Sequence, residues 1–327
     1  LSSSSAASDV YKRQIIDTLN EGKVADVEGY YENAKINRVY VDRVHVKKAF
    51  AEYTAAYNAD DPKIKLKIDH TYRVAALCER IAKAAGMCAY DVELAWLSGM
   101  LHDVGRFEQI KRYNTFSDAD SVDHAKFGAD LLFKDGLIST FLNGMVKCTG
   151  YKPGALEDRY SSDGVFLYDR LNKSDMEMLE LAIRCHNMYR IPQGLNRREQ
   201  AFCNVLRDAD KVDIFKVNID TPLEEIYNTT TEELMKSDIT DEVLEAFDEE
   251  HCILKAIRRT PADTVIGHVS LAYELVYDES VRITVEQGYL AKLMHFHSDN
   301  EETNRKMAMV REKMDSYVKK RIGEKDA

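Results

Sequence analysis

Four histidines and two aspartates stand beside apolar helical stripes. They are His70 in IDHTYRVA, the adjacent pair His102 and Asp103 in LHDVGR, His124 in VDHAKFGA, His186 in RCHNMYR, and Asp210 in LRDADKVD. Imidazole nitrogen and carboxylate oxygen are metal-ligating groups, and no two of these sites are close enough in sequence for a zinc-finger or HExxH arrangement. A helical bundle brings such residues together, because bundle cores build metal sites from His and carboxylates on facing helices. The other histidines lack such a setting. His295 and His297 would project to different sides of a helix, and His45, His251 and His268 have no partner pattern.

The segments that must position these residues read as helices. Val44–Tyr57 is helical and halts at the breaker NADDP. In IKLKIDHTYRVAALCERIAKAAG, the residues Val74, Leu77, Cys78 and Ile81 recur at helical spacing, with Gly86 as the stop. The segment from Asp91 carries a stripe of Leu94, Leu97, Met100 and Leu101. VDHAKFGADLLF is helical, and LISTFLNGMVKC continues the pattern to Cys148. Residues 150–173 are the least regular and read as a long loop, whose Tyr151, Tyr160 and Phe166 are candidates to cover a site or stack on a base. Ser174 with Glu177, and Asn196 with Glu199, have capping-box spacing, and Thr221-Pro222 marks another helix start. Acidic amphipathic helices continue to about Lys320, with no sheet and no repeat. The fold class is all-α.

The 327 residues suffice for a substantial core, and the 45 Lys and Arg against 56 Asp and Glu give a net charge of −11. That balance argues against a general nucleic-acid or anionic-membrane binder, both of which need a basic face. No apolar run approaches the ~18 residues of a membrane span. Six scattered cysteines without a CxxC pair point to a reducing, cytoplasmic setting with no disulfides. Residues 1–14 have a Ser/Ala-rich start that reads as a non-native or disordered leader. The expected organisation is a helical extension over 15–60, a core over 61–220 and a C-terminal helical cap over 221–327.

The order H…HD…D resembles the HD superfamily of metal-dependent phosphohydrolases, with His70, His102, Asp103 and Asp210 at the four motif positions. The resemblance covers roughly residues 61–218. It implies an HD helical bundle in which one metal takes those four residues. HD proteins with two further histidines between the HD pair and the last Asp resemble a dinuclear subgroup. Here those are His124 and His186, and Asp103 becomes the bridging carboxylate. HDVGR is similar to the HD-x-G-K of HD-GYP cyclic-dinucleotide phosphodiesterases, which places Arg106 at a phosphate-contacting position; His124-x-x-x-Gly128 is similar to their H-P-x-x-G. The double His followed by Glu and the GYP sequence are absent, as is the H-D-x-x-E-D of the alarmone hydrolases, so neither substrate transfers.

The resemblance implies two divalent ions, with Mn, Fe, Zn or Co suiting His and carboxylate better than Mg alone. A metal-bound hydroxide would attack phosphorus, with Asp103, Arg106 and Lys211 in catalytic roles and Arg106, Asn187 and Lys211 holding a nucleotide or related small phosphate ester. The plainer readings are Arg106 as a helix-end cation, Lys211 paired with a carboxylate, and Arg73 as an ion-pair partner. The alternative functions are a ligand-sensing module that keeps the metal without turnover, and a dinuclear-iron oxygenase or lyase. The C-terminal stretch NRKMAMVREKMDSYVKKRIGEK reads as a peripheral helix or a homodimer contact.

Overall fold

The computed structural model describes residues 41–58, 60–142, 147–148, 166–167, 173–227 and 229–323. The leader 1–14, most of the 15–60 extension, and most of the expected loop, including Tyr151 and Tyr160, lie outside the described residues.

Helices dominate, and the chain is all-α. In order they are α1 (Arg43–Thr54), α2 (Pro62–Ala84), α3 (Ala89–Leu101), α4 (Val104–Tyr113), α5 (His124–Ala129) and α6 (Ile138–Leu142). Then follow α7 (Lys173–Cys185), α8 (Arg197–Asp220), α9 (Leu223–Tyr227), α10 (Thr231–Lys236) and α11 (Asp241–Asp248). The last four are α12 (Pro261–Val269), α13 (Asp278–Gln287), α14 (Tyr289–Met294) and α15 (Glu301–Ile322). No helix among the described residues is long and apolar enough to cross a membrane. The described cysteines Cys78, Cys88, Cys185, Cys203 and Cys252 are free thiols.

Two compact units divide the chain, one of residues 1–53 and 136–176, the other of 54–135 and 177–327. In the first, His45 Nε2 donates to the Thr140 carbonyl at 3.1 Å, and Tyr53 meets Phe141 edge-on at 6.2 Å. Here the helical expectation for 137–148 is corrected. The helix stops at Leu142, and Lys147–Cys148 pairs antiparallel with Phe166–Leu167, so Phe166 belongs to a short strand and not to a loop.

The second unit holds all the candidate metal-ligating and phosphate-contacting residues. Its centre is α2 against α3 and α8 against α2. Asp61 caps α2 by accepting from the Lys63 amide, Pro62 fixes the first turn, and Gly86 at φ +74° follows the last turn. Buried Val74, Leu77, Cys78 and Ile81 form its core face, and Leu94, Leu97, Met100 and Leu101 answer from α3. The two helices touch through Gly99, where a Cβ would lie 2.6 Å from Ala75 Cα. The capping box of Asn196 and Glu199 opens α8. The helix α7 begins at Lys173, so Ser174 sits inside its first turn and does not cap it. Asp208, on the buried face of α8, accepts from the Val276 and Tyr277 amides and from Ser280 Oγ, fastening the start of α13.

Candidate metal centre

Each expected ligand is set at a defined point of a helix. His70 lies mid-α2 and Asp210 mid-α8. His102 and Asp103 form the junction where α3 ends and α4 begins; His124 is the first residue of α5, and His186 follows the last residue of α7. His70, His102 and Asp103 are almost fully buried, and His124 and His186 nearly so.

The side chains converge. His70 Nε2 is 3.2 Å from Asp210 Oδ1 and 3.5 Å from Asp103 Oδ2, and His102 Nε2 is 3.6 Å from the same Oδ2. The other oxygen of Asp103, Oδ1, is 3.6 Å from His124 Nε2 and 3.8 Å from His186 Nε2. One carboxylate thus turns one oxygen to each pair of imidazoles. His70, His102 and Asp103 form one candidate metal-ligating group, and Asp103, His124 and His186 form another, each with its ligand atoms within 4.8 Å of one another.

What fixes the rings is on their far side. His102 Nδ1 donates to the Gly99 carbonyl and His186 Nδ1 to the Ile183 carbonyl, both at 2.7 Å and both three residues back. His70 Nδ1 donates to Asp213 Oδ2 at 2.6 Å, and His124 Nδ1 to Asp118 Oδ2 at 2.7 Å. With Nδ1 carrying the proton, Nε2 presents its lone pair to the centre, which is how metal-binding histidines are oriented. Burial pushes His124 and His186 down to about 4 and lowers His102, so these rings are neutral at pH 7. At His70 burial and Lys67 act downward, but Asp210 and Asp213 prevail and raise it. Burial would raise Asp103, yet Lys67, His102, His124 and Arg106 together hold it well below the usual carboxylate range.

These atoms fit a cation. His124 Nε2 and His186 Nε2 stand 3.1 Å apart. With both Nδ1 protons already placed on acceptors, neither Nε2 of the neutral rings has a proton to give the other. Two nitrogens each ~2.1 Å from a shared ion are about 3 Å apart when they meet it at right angles. The donor set of imidazole and carboxylate suits a divalent transition metal.

Of the other expected residues, Arg106 and Asn187 reach carboxylates at this cage. Arg106 Nη1 donates to Gln109 Oε1, the Phe116 carbonyl and Asp118 Oδ1, while its buried Nε has no hydrogen-bond partner among the described residues. Asn187 donates to Asp123 Oδ1 at 2.9 Å and Asp118 Oδ2 at 3.3 Å, so its amide nitrogen braces two carboxylates. Lys211 is half-buried, makes no hydrogen bond or ion pair within 4.0 Å among the described residues, and is pushed down by burial and by Arg207. Asp123 caps α5 through the Lys126 amide.

Sequence reading did not single out Lys67, Asp118 or Asp213. Lys67 precedes His70 by three residues and Asp213 follows Asp210 by three, so helical spacing was the available signal for both. Arg73 pairs with Asp213 through its Nε at 2.6 Å, in the ion-pair role expected of it. Nothing in the local sequence marks Asp118 as the partner of His124.

No curated protein and no solved structure matches this chain. Residues 68–255, more than half of its length, match the HD domain, and that stretch contains every residue of the cage. The agreement of that match with the buried His and Asp cluster places the chain in the HD domain family, a superfamily of metal-dependent phosphohydrolases.

Proposed function

We propose that this protein is a phosphohydrolase that binds two divalent ions, one at each pair of imidazoles, with Asp103 shared between them, and that it cleaves a nucleotide or related small phosphate ester. The observation that carries this reading is the disposition of Asp103, with Oδ2 toward His70 and His102 and Oδ1 toward His124 and His186. Asp210 completes the first set from α8. Two ions held this way would make water a nucleophile near neutral pH and polarise phosphoryl oxygens.

The chain's own residues supply the rest. The Nδ1 hydrogen bonds hold all four rings with Nε2 toward the centre. Asp103 is buried and ionised, as a bridging carboxylate must be. Arg106 Nε pairs with Asp103 Oδ1 only at 3.8 Å and has no hydrogen-bond partner among the described residues, which leaves it a donor for a phosphoryl oxygen beside the cage. Lys211, which follows Asp210 in sequence and makes no hydrogen bond or ion pair within 4.0 Å among the described residues, is the further donor proposed for phosphate or leaving-group oxygen.

The test is phosphate release from a panel of nucleotides and phosphate esters, using protein loaded with Mn²⁺ or Fe²⁺. Release that depends on metal and falls by at least ~10³-fold in Asp103→Ala is the expected result. Protein shown to hold metal but releasing no more phosphate than the variant would overturn the reading.

A further inference from the structure

Asp103 has a third neighbour on its Oδ2, the ammonium of Lys67 at 2.7 Å. Lys67 lies on α2 one turn before His70, so both side chains leave the same face of that helix. Its side chain is 14% exposed, against 2% for Asp103, so the ammonium joins the buried carboxylate to the solvent edge. It donates to no imidazole among the described residues, which places it outside the cage of Nε2 atoms. An ammonium has three donors, and Asp103 is the one acceptor it meets among the described residues. Its charge also lies 5.5 Å from the ring centre of half-buried Phe116, and the Arg106 guanidinium lies 5.6 Å from that same ring.

Two cations therefore bracket one carboxylate, Lys67 beside Oδ2 and Arg106 beside Oδ1. Each keeps a donor unspent among the described residues, and both lie within about 6 Å of the Phe116 ring centre. Asp103 neutralises only one charge. Its negative charge is also the one the two candidate metal sites share, so an anion seated on bound ions would come within reach of both donors.

We propose that Lys67 is a substrate-binding residue whose ammonium, resting on Asp103 Oδ2, takes a phosphoryl oxygen of the ester, with Arg106 Nε as the second donor. This rests on the phosphohydrolase reading and deepens it, assigning to Lys67 a contact that the sequence offered to Arg106, Asn187 and Lys211. Arg106 Nη1 is already held by the Phe116 carbonyl and Asp118, so Nε and not Nη1 is the donor assigned to the phosphate.

The test separates metal binding from phosphate binding in wild type, Lys67→Met and Lys67→Arg. Mn²⁺ is titrated into metal-free protein by calorimetry, and inorganic phosphate is then titrated into the Mn²⁺-loaded forms. Lys67→Met is expected to hold Mn²⁺ within about threefold of wild type and to bind phosphate about tenfold or more weakly, the loss of one charge-assisted hydrogen bond. Lys67→Arg should recover phosphate affinity. Unchanged phosphate affinity in Lys67→Met overturns the assignment. Loss of Mn²⁺ in that variant also overturns it, because Lys67 would then serve only to position Asp103. If Lys67→Met does not fold, as judged by thermal unfolding, Lys67→Gln is held to the same criteria. A Mn²⁺-loaded wild type that binds no phosphate would instead bring down the phosphohydrolase reading itself.

Discussion

At the level of single residues, the four imidazoles are held in two different ways. His102 and His186 donate to carbonyls three residues back, a bond that the local backbone supplies to any histidine at that point. His70 and His124 depend on carboxylates, Asp213 and Asp118. A carboxylate partner fixes the tautomer and raises ligand basicity, and loss of such a partner costs metal affinity by about 10–100-fold. Asp213→Asn should therefore weaken Mn²⁺ binding by that order, measured by competition with a chromogenic chelator; affinity equal to wild type would show that Asp213 serves only Arg73. The candidate ligands were legible in the sequence because residue type and helical context mark them. Asp118 was not, since its contact with His124 depends on how the turn between α4 and α5 closes. Lys67 and Asp213 stood one helical turn from named ligands, and their chemistry appeared only once α2 faced α8.

The elements bring the ligands together through close backbone approach. At the junction of α4 and α5, a Cβ on Gly105 would lie 2.5 Å from the His124 carbonyl oxygen and 2.7 Å from Gly128 N. Backbone cannot yield as a flexible side chain can, so Gly105 is required where α5 delivers His124. This gives a physical reason for the glycines of HDVGR and of His124-x-x-x-Gly128. Gly105→Ala should destabilise the fold by ~1–3 kcal/mol in urea denaturation and weaken metal binding at the His124 and His186 side. Stability and metal content like wild type would refute the packing argument. Helices with strong periodicity and explicit caps, such as α2 and α8, were readable. The strand pair Lys147–Cys148 with Phe166–Leu167 was not, because two-residue strands carry no period and their pairing joins distant segments.

At the scale of the whole molecule, groups outside the metal cage also set pH dependence. His268 packs against Tyr227 with 5.5 Å between ring centres, and its buried Nδ1 has no hydrogen-bond partner among the described residues. Burial, aided by Arg258 and Lys255, pushes it down to about 3, against an ordinary value of 6.5. Between those values the unfolded chain binds a proton that the folded one refuses, so stability rises with pH. The full contribution is present above about pH 6.5 and is lost as pH falls toward 3, at up to ~1.4 kcal/mol per pH unit. His268→Phe should flatten the slope of urea stability between pH 6.5 and 4.5 by up to that amount, and an unchanged slope would mean that His268 titrates alike in both states.

The grouping of residues 54–135 with 177–327 in one compact unit ties α13 to the cage-bearing α8, through Asp208 and the Val276, Tyr277 and Ser280 donors. Asp208 and Asp210 are two residues apart on α8, yet one fastens the C-terminal helices and the other faces the imidazoles. If Asp103 joins two metal sites, the number of ions bound per chain must report it. Mn²⁺ titrated into metal-free wild type should bind at two sites per chain, with one site left in His124→Ala and no tight site in Asp103→Ala. A single ion in wild type, or two ions retained by Asp103→Ala, would contradict it.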